Sequence, residues 1–532
     1  MLLTLPILLP MLAAALCVTA WGRARLQAAL ATATMTAVTG MAVALLAMVR
    51  REGVQVVEVG GWAAPYGIAL VADLFAAIMV LLGAIVGLAV TVYSIGATDD
   101  RRAAQGHYPL VLSLLAAVSG AFLSGDLFNL YVWFELMLLS SFVLLTLGGE
   151  RAQLEGSIKY VTLNLVSSIL FLSAVGLIYA TTGTLNMAHL AQRLDGLNDP
   201  RLATALGALL LVAFGIKAAV FPVFFWLPAS YHTPPPAVSA LFAGLLTKVG
   251  VYAIIRSATL LFDQEHALLG EALLVVAGFT MLSGVLGAVA QNDMRRILSF
   301  HIVSQIGYML MGLGLAIRVL GGASQDTERA MAAAGIALAG SVFYILHHII
   351  VKTNLFLISG VVLRDRGTTE LKHLGGLIRT HPALAGLFLV TALSLAGIPV
   401  LSGFWAKLAL VRGGLETGAY VIVAVSLAVS LLTLLSMTKI WSEAFWGEPA
   451  TTGPRTDGIE APTGHRRAAM RGPVAAMALL SVMIGVGASP VYRLARETAG
   501  QLLDSSIYIG AVLPPGESSG SDGAGPVGGG EP

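Results

Sequence analysis

Apolar stretches of about 20 residues, the length an α-helix needs to cross a ~30 Å hydrocarbon core, recur about fourteen times along this chain. They lie at 2–21, 27–49, 69–96, 107–125, 126–148, 157–181, 202–227, 237–262, 268–290, 295–317, 331–362, 382–408, 415–441 and 472–491. Inside a bilayer the backbone finds no water, so a spanning segment must satisfy its own N–H and C=O groups as a helix or close into a barrel. Barrel strands alternate in hydrophobicity over ~10 residues, whereas these runs are continuously apolar. The expected fold is therefore an all-α polytopic membrane protein. Composition agrees: 57% of the 532 residues are hydrophobic and 11% are charged, where a soluble domain carries about a quarter.

Several function classes are excluded on the same grounds. A net charge of +2 without a basic run gives a nucleic acid nothing to bind. Cys17 is the single cysteine, which rules out internal disulfides, Fe–S clusters and thiol redox chemistry. No metal site and no cofactor are expected. The N-terminal MLLTLPILLPMLAAALCVTAW lacks a basic leading segment and runs into further spans, so it reads as a retained helix. With the N-terminus outside, about sixteen Lys and Arg fall in inner connections against about nine in outer ones, which predicts both termini outside a bacterial plasma membrane. The largest inner connections are 363–381, with the short amphipathic piece ELKHLGGLI, and 446–471, rich in Pro, Gly and Thr. The tail 514–532 reads as disordered.

Two spans are interrupted. The seventh carries Pro222 and Pro228 in FPVFFWLP, and the twelfth carries Gly397, Pro399 and Gly403 in AGIPVLSGF. A proline inside a helix removes a backbone hydrogen bond and kinks or breaks it. Freed backbone at that depth survives only where it is buried or lines a cavity. Interrupted helices five spans apart are the mark of a transporter built from two repeats, and an odd number of helices per repeat makes the two inverted. The division expected is helices 1–3 over 1–105, a first repeat of spans 4–8 over 106–265, a second of spans 9–13 over 266–445, and an inner loop with helix 14 over 446–513. Prolines tolerated without function are the competing explanation.

Charged residues sit within these apolar runs: Glu135 in YVWFELML, Lys217 in FGIKAAVF, Lys248 in AGLLTKVGVY, Lys352 in HHIIVKTNLF, Lys407 in SGFWAKLAL and Lys439 in SMTKIW. A charge at mid-bilayer costs roughly 3 kcal/mol even on the lenient insertion scale. They must face an interior, pair, or line water, and a row of titratable groups through a hydrophobic slab is what moving protons or cations requires. Glu135 lies nine residues past Asp126, about 14 Å along a helix. It is open whether it switches protonation or locks two helices as a static ion pair. Lys217 and Lys248 are too deep to snorkel, while Lys439, near an inner end beside Glu443, fits snorkelling. His348 and Lys352, four apart, share a helix face. His301, Ser304, Gln305 and Tyr308 form a second polar stripe, with His347 a further member of that secondary path. For these histidines hydrogen-bonded packing is the alternative. His347 and His348 are adjacent and project about 100° apart, so they make no metal site.

The stretches FELMLLSSFVLLTL, FWLPASYHTPPPAVSALFAGLLTKVGVYAIIR, QNDMRRILSFHIVSQIGYMLMGLG and GIPVLSGFWAKLAL resemble the proton-translocating membrane subunit family. That family is shared by respiratory complex I, membrane-bound hydrogenases and the multisubunit Mrp-type cation/proton antiporters. The resemblance covers about 65–445 and looks most like the Mrp branch. It implies fourteen helices, inverted repeats at spans 4–8 and 9–13, and a relay in which Glu135 pairs with Lys217. The relay would continue through Lys248, His348 and Lys352 to Lys407. It further implies exchange of protons for sodium or a similar monovalent cation, without enzymatic chemistry, in a hetero-oligomer with other membrane subunits. Lysine at 407 matches the Mrp branch, where several complex I relatives carry glutamate. A redox-driven pump subunit and an inert scaffold are the rival readings.

Overall fold

The Asp and Asn residues that precede the apolar runs decide where helices begin. Asp73, Asp126, Asn186 and Asp199 each accept a backbone N–H from the first turn that follows, filling donors that a helix start leaves unpaired. In the computed structural model, which describes residues 1–64, 66–197, 199–262, 266–322, 327–448 and 464–513, the chain is a helical bundle. Eleven helices among the described residues are long and apolar enough to cross a membrane. Three shorter apolar ones, Leu5–Thr19, His107–Leu123 and Pro382–Ala396, accompany them. By length, eleven rather than about fourteen qualify as spans. The tail from Pro514 and the middle of the 446–471 connection lie outside the described residues.

Burial sorts the helices into a core and a rim. The segment Pro236–Leu260 is buried along its length, and Met294–Gly321 and Glu328–Arg366 are nearly so, whereas most of Ala24–Glu52, Arg151–Thr182 and Tyr420–Trp446 is not. The 40-residue helix Thr327–Arg366 would extend about 60 Å, twice the hydrocarbon core. It packs on Leu74–Ala97, on Pro236–Leu246, on Met294–Gly322 and on both halves of the second broken span. It is the pillar that joins the two halves of the molecule.

Both interruptions are present, with altered boundaries. The helix Pro200–Ala218 ends at Ala219, whose φ of 59° lies in the left-handed region, before Pro222 is reached. Pro228 breaks nothing. It sits in the short helix Trp226–Ser230, where the first turn needs no proline N–H. The expected twelfth span is two helices, Pro382–Ala396 and Ser402–Glu416, separated at Gly397 (φ 93°) and Val400 (φ 74°). The thirteenth accordingly begins at Tyr420. A side chain at Gly403 would collide with the Ser394 carbonyl and the His347 ring, so glycine lets the second half-helix abut the first.

Two local expectations are corrected. ELKHLGGLI forms two single turns, Leu371–His373 and Leu377–Thr380, because Gly375 and Gly376 take positive φ between them. The third span starts only at Leu74. Ala69–Ala72 is a strand paired antiparallel with Gln55–Glu58, Val56 opposite Val71, in keeping with the β preference of valine-rich segments.

Candidate functional site

Lys248 owes its place to an irregularity in its own helix. Phe242–Leu246 is a π turn, a rare wide turn frequent at functional sites. The Lys248 ammonium folds back onto it, donating to Ala243 O at 2.5 Å and to Thr247 Oγ1 at 3.2 Å. A Cβ on Gly244 would collide with Thr353 Oγ1. Glycine here admits the pillar helix, and the neighbouring residue on that helix, Lys352, donates to Leu298 O at 3.0 Å. Lys248 and Lys352 lie within electrostatic reach of each other. Two ammonium charges in a low-dielectric interior repel each other.

His348 is the histidine on which both act. The charges of Lys248 and Lys352 both bear on it, as do the rings of His347 and His301. It is fully buried, and neither ring nitrogen has a protein partner among the described residues. Buried polar atoms of this kind are met by ordered water, and an imidazole bonded to water on both nitrogens can take a proton on one side and release it on the other. His301 uses Nε2 on Ser436 Oγ (2.6 Å), and both Lys352 and Lys407 bear on it electrostatically. Gln305 accepts from Tyr344 and donates to Ser304 at 3.4 Å. Tyr308 donates to Ser426 O (2.5 Å) and stacks on Tyr344 at 5.0 Å. The expected polar stripe is thus a buried wall in which His301, Gln305 and Tyr308 are tied to neighbouring helices.

The two break lysines are held differently. Lys217 lies in the last turn of Pro200–Ala218, a helix end that attracts cations. Its ammonium has no hydrogen-bond partner among the described residues. The Phe134 ring centroid is 5.8 Å away, and the Glu135 charge acts on it through space. Glu135 Oε1 is likewise unbonded, so the carboxylate acts on Lys217 through space and not through a direct hydrogen bond. Lys407 reaches across the second break, donating to Ala396 O at 2.9 Å and to Ser430 Oγ at 2.7 Å, with its ammonium 5.1 Å from the Tyr308 centroid. His347 turns away from His348 toward this break, bonding Ser402 Oγ at 2.8 Å, and Ser402 is linked to Ser394 and Ser481 at 3.0 and 3.1 Å. Lys439 caps Gln291 O (2.8 Å) and Asn292 Oδ1 (2.7 Å), rather than joining the row or pairing with Glu443.

Sequence reasoning passed over Thr247, Thr353, Tyr344, Ser402, Ser430 and Ser436. All but Thr353 place a hydroxyl within hydrogen-bond distance of a lysine, histidine or glutamine, and Thr353 packs against Gly244 of the π turn. Thr247 and Thr353 adjoin a buried lysine in sequence, which was the available signal. It also passed over Asp73, whose Oδ2 accepts from Arg256 at 2.5 Å with both side chains buried. The partners are 183 residues apart, and no local pattern links the one to the other.

Residues 124–324 and 328–433 match the family described as NADH:quinone oxidoreductase/Mrp antiporter, transmembrane. The chain is 44% identical to the D-type subunit of the Na(+)/H(+) antiporter of Alkalihalophilus pseudofirmus over 96% of its own length and 99% of the relative's. It superposes on a chain of the Mrp complex from Dietzia sp. DQ12-45-1b with a TM-score of 0.86 at 36% identity, covering 96% and 99% of the two chains. A chain of the membrane-bound sulfane sulfur reductase, an archaeal respiratory membrane complex, gives 0.82 at 25% identity, with 96% and 99% coverage.

Proposed function

The chain belongs to the NADH:quinone oxidoreductase/Mrp antiporter family of membrane subunits, and from that premise we propose that it is the D-type subunit of a multisubunit Na+/H+ antiporter. The observation that supports this reading best is the row of buried bases between the two broken helices. Lys248, His348, Lys352, His301 and Lys407 are each within electrostatic reach of a neighbour in the row, and the Glu135–Lys217 couple stands at the first break.

On this reading a proton enters beside Glu135. Ionised, Glu135 stabilises the ammonium of Lys217; protonated, it releases that hold. The change in charge propagates along the row because each ammonium repels the next. His348 hands the proton between Lys248 and Lys352, and Lys407, tied to the second break, is the terminal loading group. His347 and the Ser402–Ser394–Ser481 cluster form a side branch at that end. No bond is made or broken beyond proton transfer, so the subunit is a secondary transporter and not an enzyme. Both termini face outside, Glu135 and Lys217 belong to a first inverted repeat, and Lys352 and Lys407 to a second.

The reading assigns the chain sister membrane subunits as partners, and sodium or a similar monovalent cation and protons as substrates. The isolated chain, inserted and folded in proteoliposomes, is expected to show no sodium-dependent proton exchange, and co-reconstitution with its sister subunits to restore it. Robust exchange by the chain alone would contradict the subunit assignment.

A further inference from the structure

The buried pair Asp73–Arg256 lies outside the row of bases, yet it is joined to it by one helix. Lys248, Tyr252 and Arg256 are spaced four apart on the segment Thr247–Leu260 and so share a face. Arg256 Nη2 donates to Asp73 Oδ2 at 2.5 Å and to Tyr252 Oη at 3.2 Å. Tyr252 in turn donates to Phe122 O at 2.7 Å and stacks on Phe75 at 4.9 Å. Asp73 uses Oδ1 to cap Leu74–Ala97 through Ala76 N (2.8 Å). One carboxylate therefore fixes both the start of that helix and the far end of the helix that carries Lys248.

The C-terminal segment closes the arrangement. Gln501, on Ala488–Leu503, accepts from Leu74 N at 2.8 Å. Tyr508, on Ser505–Val512, is buried with its ring centroid 5.0 Å from the Arg256 guanidinium, on which Tyr252 also lies at 5.5 Å. An arginine held between two aromatic rings and a carboxylate has its orientation fixed by shape as well as charge. The near end of the Lys248 segment is the π turn, where the regular α-helical hydrogen-bond pattern is interrupted; the far end is this clamp. Any rotation or slide of Lys248 must be absorbed in the π turn while the clamp holds.

We propose that Asp73 and Arg256, covered by Tyr508 of the C-terminal segment, are positioning residues that set the Lys248 ammonium against His348 and Lys352. The inference rests on the reading that Lys248 belongs to the relay. The charged and titratable groups facing Lys248 are His348 and Lys352, and those facing Arg256 are Asp73, Tyr252 and Tyr508, so loosening the clamp alters the distance of Lys248 from a histidine and a second lysine.

The test uses the complete antiporter complex in membrane vesicles, normalised to the amount of assembled complex. Arg256→Lys, which keeps the charge but loses the fork and the stacking, and Tyr508→Ala are expected to lower exchange about tenfold, the scale of a small misplacement of a reacting group, and to displace its pH profile. Tyr508→Phe, which keeps the ring, is expected to restore both. A loss of rate that only follows a loss of assembled complex, with an unchanged pH profile, overturns the inference, as does normal exchange by Arg256→Lys and Tyr508→Ala. Lys248→Ala is run alongside. If it exchanges normally, the relay reading falls and this inference with it; if it is inactive while the clamp variants are normal, this inference alone falls.

Discussion

The two helix breaks carry the same signature, a lysine close to a proline, and resolve it in different ways. At the first, Lys217 belongs to the helix that ends, and its ammonium meets no hydrogen-bond acceptor of the described protein, only the Phe134 face and the Glu135 charge. At the second, Lys407 comes from the following half-helix and is bonded to Ala396 O and Ser430 Oγ. The first lysine depends on one distant carboxylate and is therefore switchable by it. The second is held by neutral dipoles, so on the proposed relay its charge state is set by what arrives through the row. On the proposed relay, one break is the sensor and the other the terminus.

Removing the carboxylate from the first break gives the largest effect. Glu135→Ala and Lys217→Ala are each expected to reduce sodium-dependent proton exchange at least about 100-fold, the lower range for losing a positioned proton-transfer group, with the complex still assembled. Normal exchange in vesicles carrying either variant would erase the distinction between the breaks. At the second break, Lys407→Arg is expected to be as inactive as Lys407→Ala, since arginine stays protonated throughout the physiological range and cannot release a proton. Full transport by Lys407→Arg would move this residue from relay to scaffold.

Smaller changes sharpen the contrast. Glu135→Asp keeps the charge and shortens its reach by one methylene, so partial exchange is the expected result, measured as the initial rate of acid-gradient dissipation on adding sodium. Ser430→Ala removes one of the two acceptors of Lys407. Ala396 O still accepts from the ammonium, so the rate is expected to change only about fivefold, the equivalent of the ~1 kcal/mol net worth of one hydrogen bond. No comparable hydroxyl among the described residues supports Lys217, and a Ser430→Ala loss as large as that of Glu135→Ala would show that the second break is as delicately balanced as the first.

The difference between the breaks was hidden in the sequence although the breaks were not. Lysines and prolines in apolar runs are visible as violations of hydropathy, which is why Glu135, Lys217, Lys248, Lys352 and Lys407 and both interruptions could be named. Whether a side chain reaches an acceptor depends on how half-helices dock, and that is set by Gly397 and Gly403 together with residues such as Ser430, more than twenty positions away. The π turn at Phe242–Leu246 has no signature either, since its residues are ordinary helix formers and small apolar ones. Pro228 shows the converse: a proline that looked like a break sits where a helix start accommodates it. Asp73 and Arg256 each stand as a charge in an apolar run, but nothing in the chain couples one to the other, and only the fold makes them a pair.

Lys352 offers the most direct test, because it sits on the pillar helix between the two halves and its charge bears on both His348 and His301. Lys352→Met keeps the length and apolar stem of the side chain and removes the charge. The Leu298 carbonyl lies within the helix Met294–Gly322, whose backbone bonds continue to serve it. The decisive measurement is sodium-driven proton flux in proteoliposomes containing the whole complex with this one substitution. No flux above that of protein-free liposomes, at wild-type levels of assembled complex, is the expected result. Flux at the wild-type rate would show that protons do not pass along this row of buried bases.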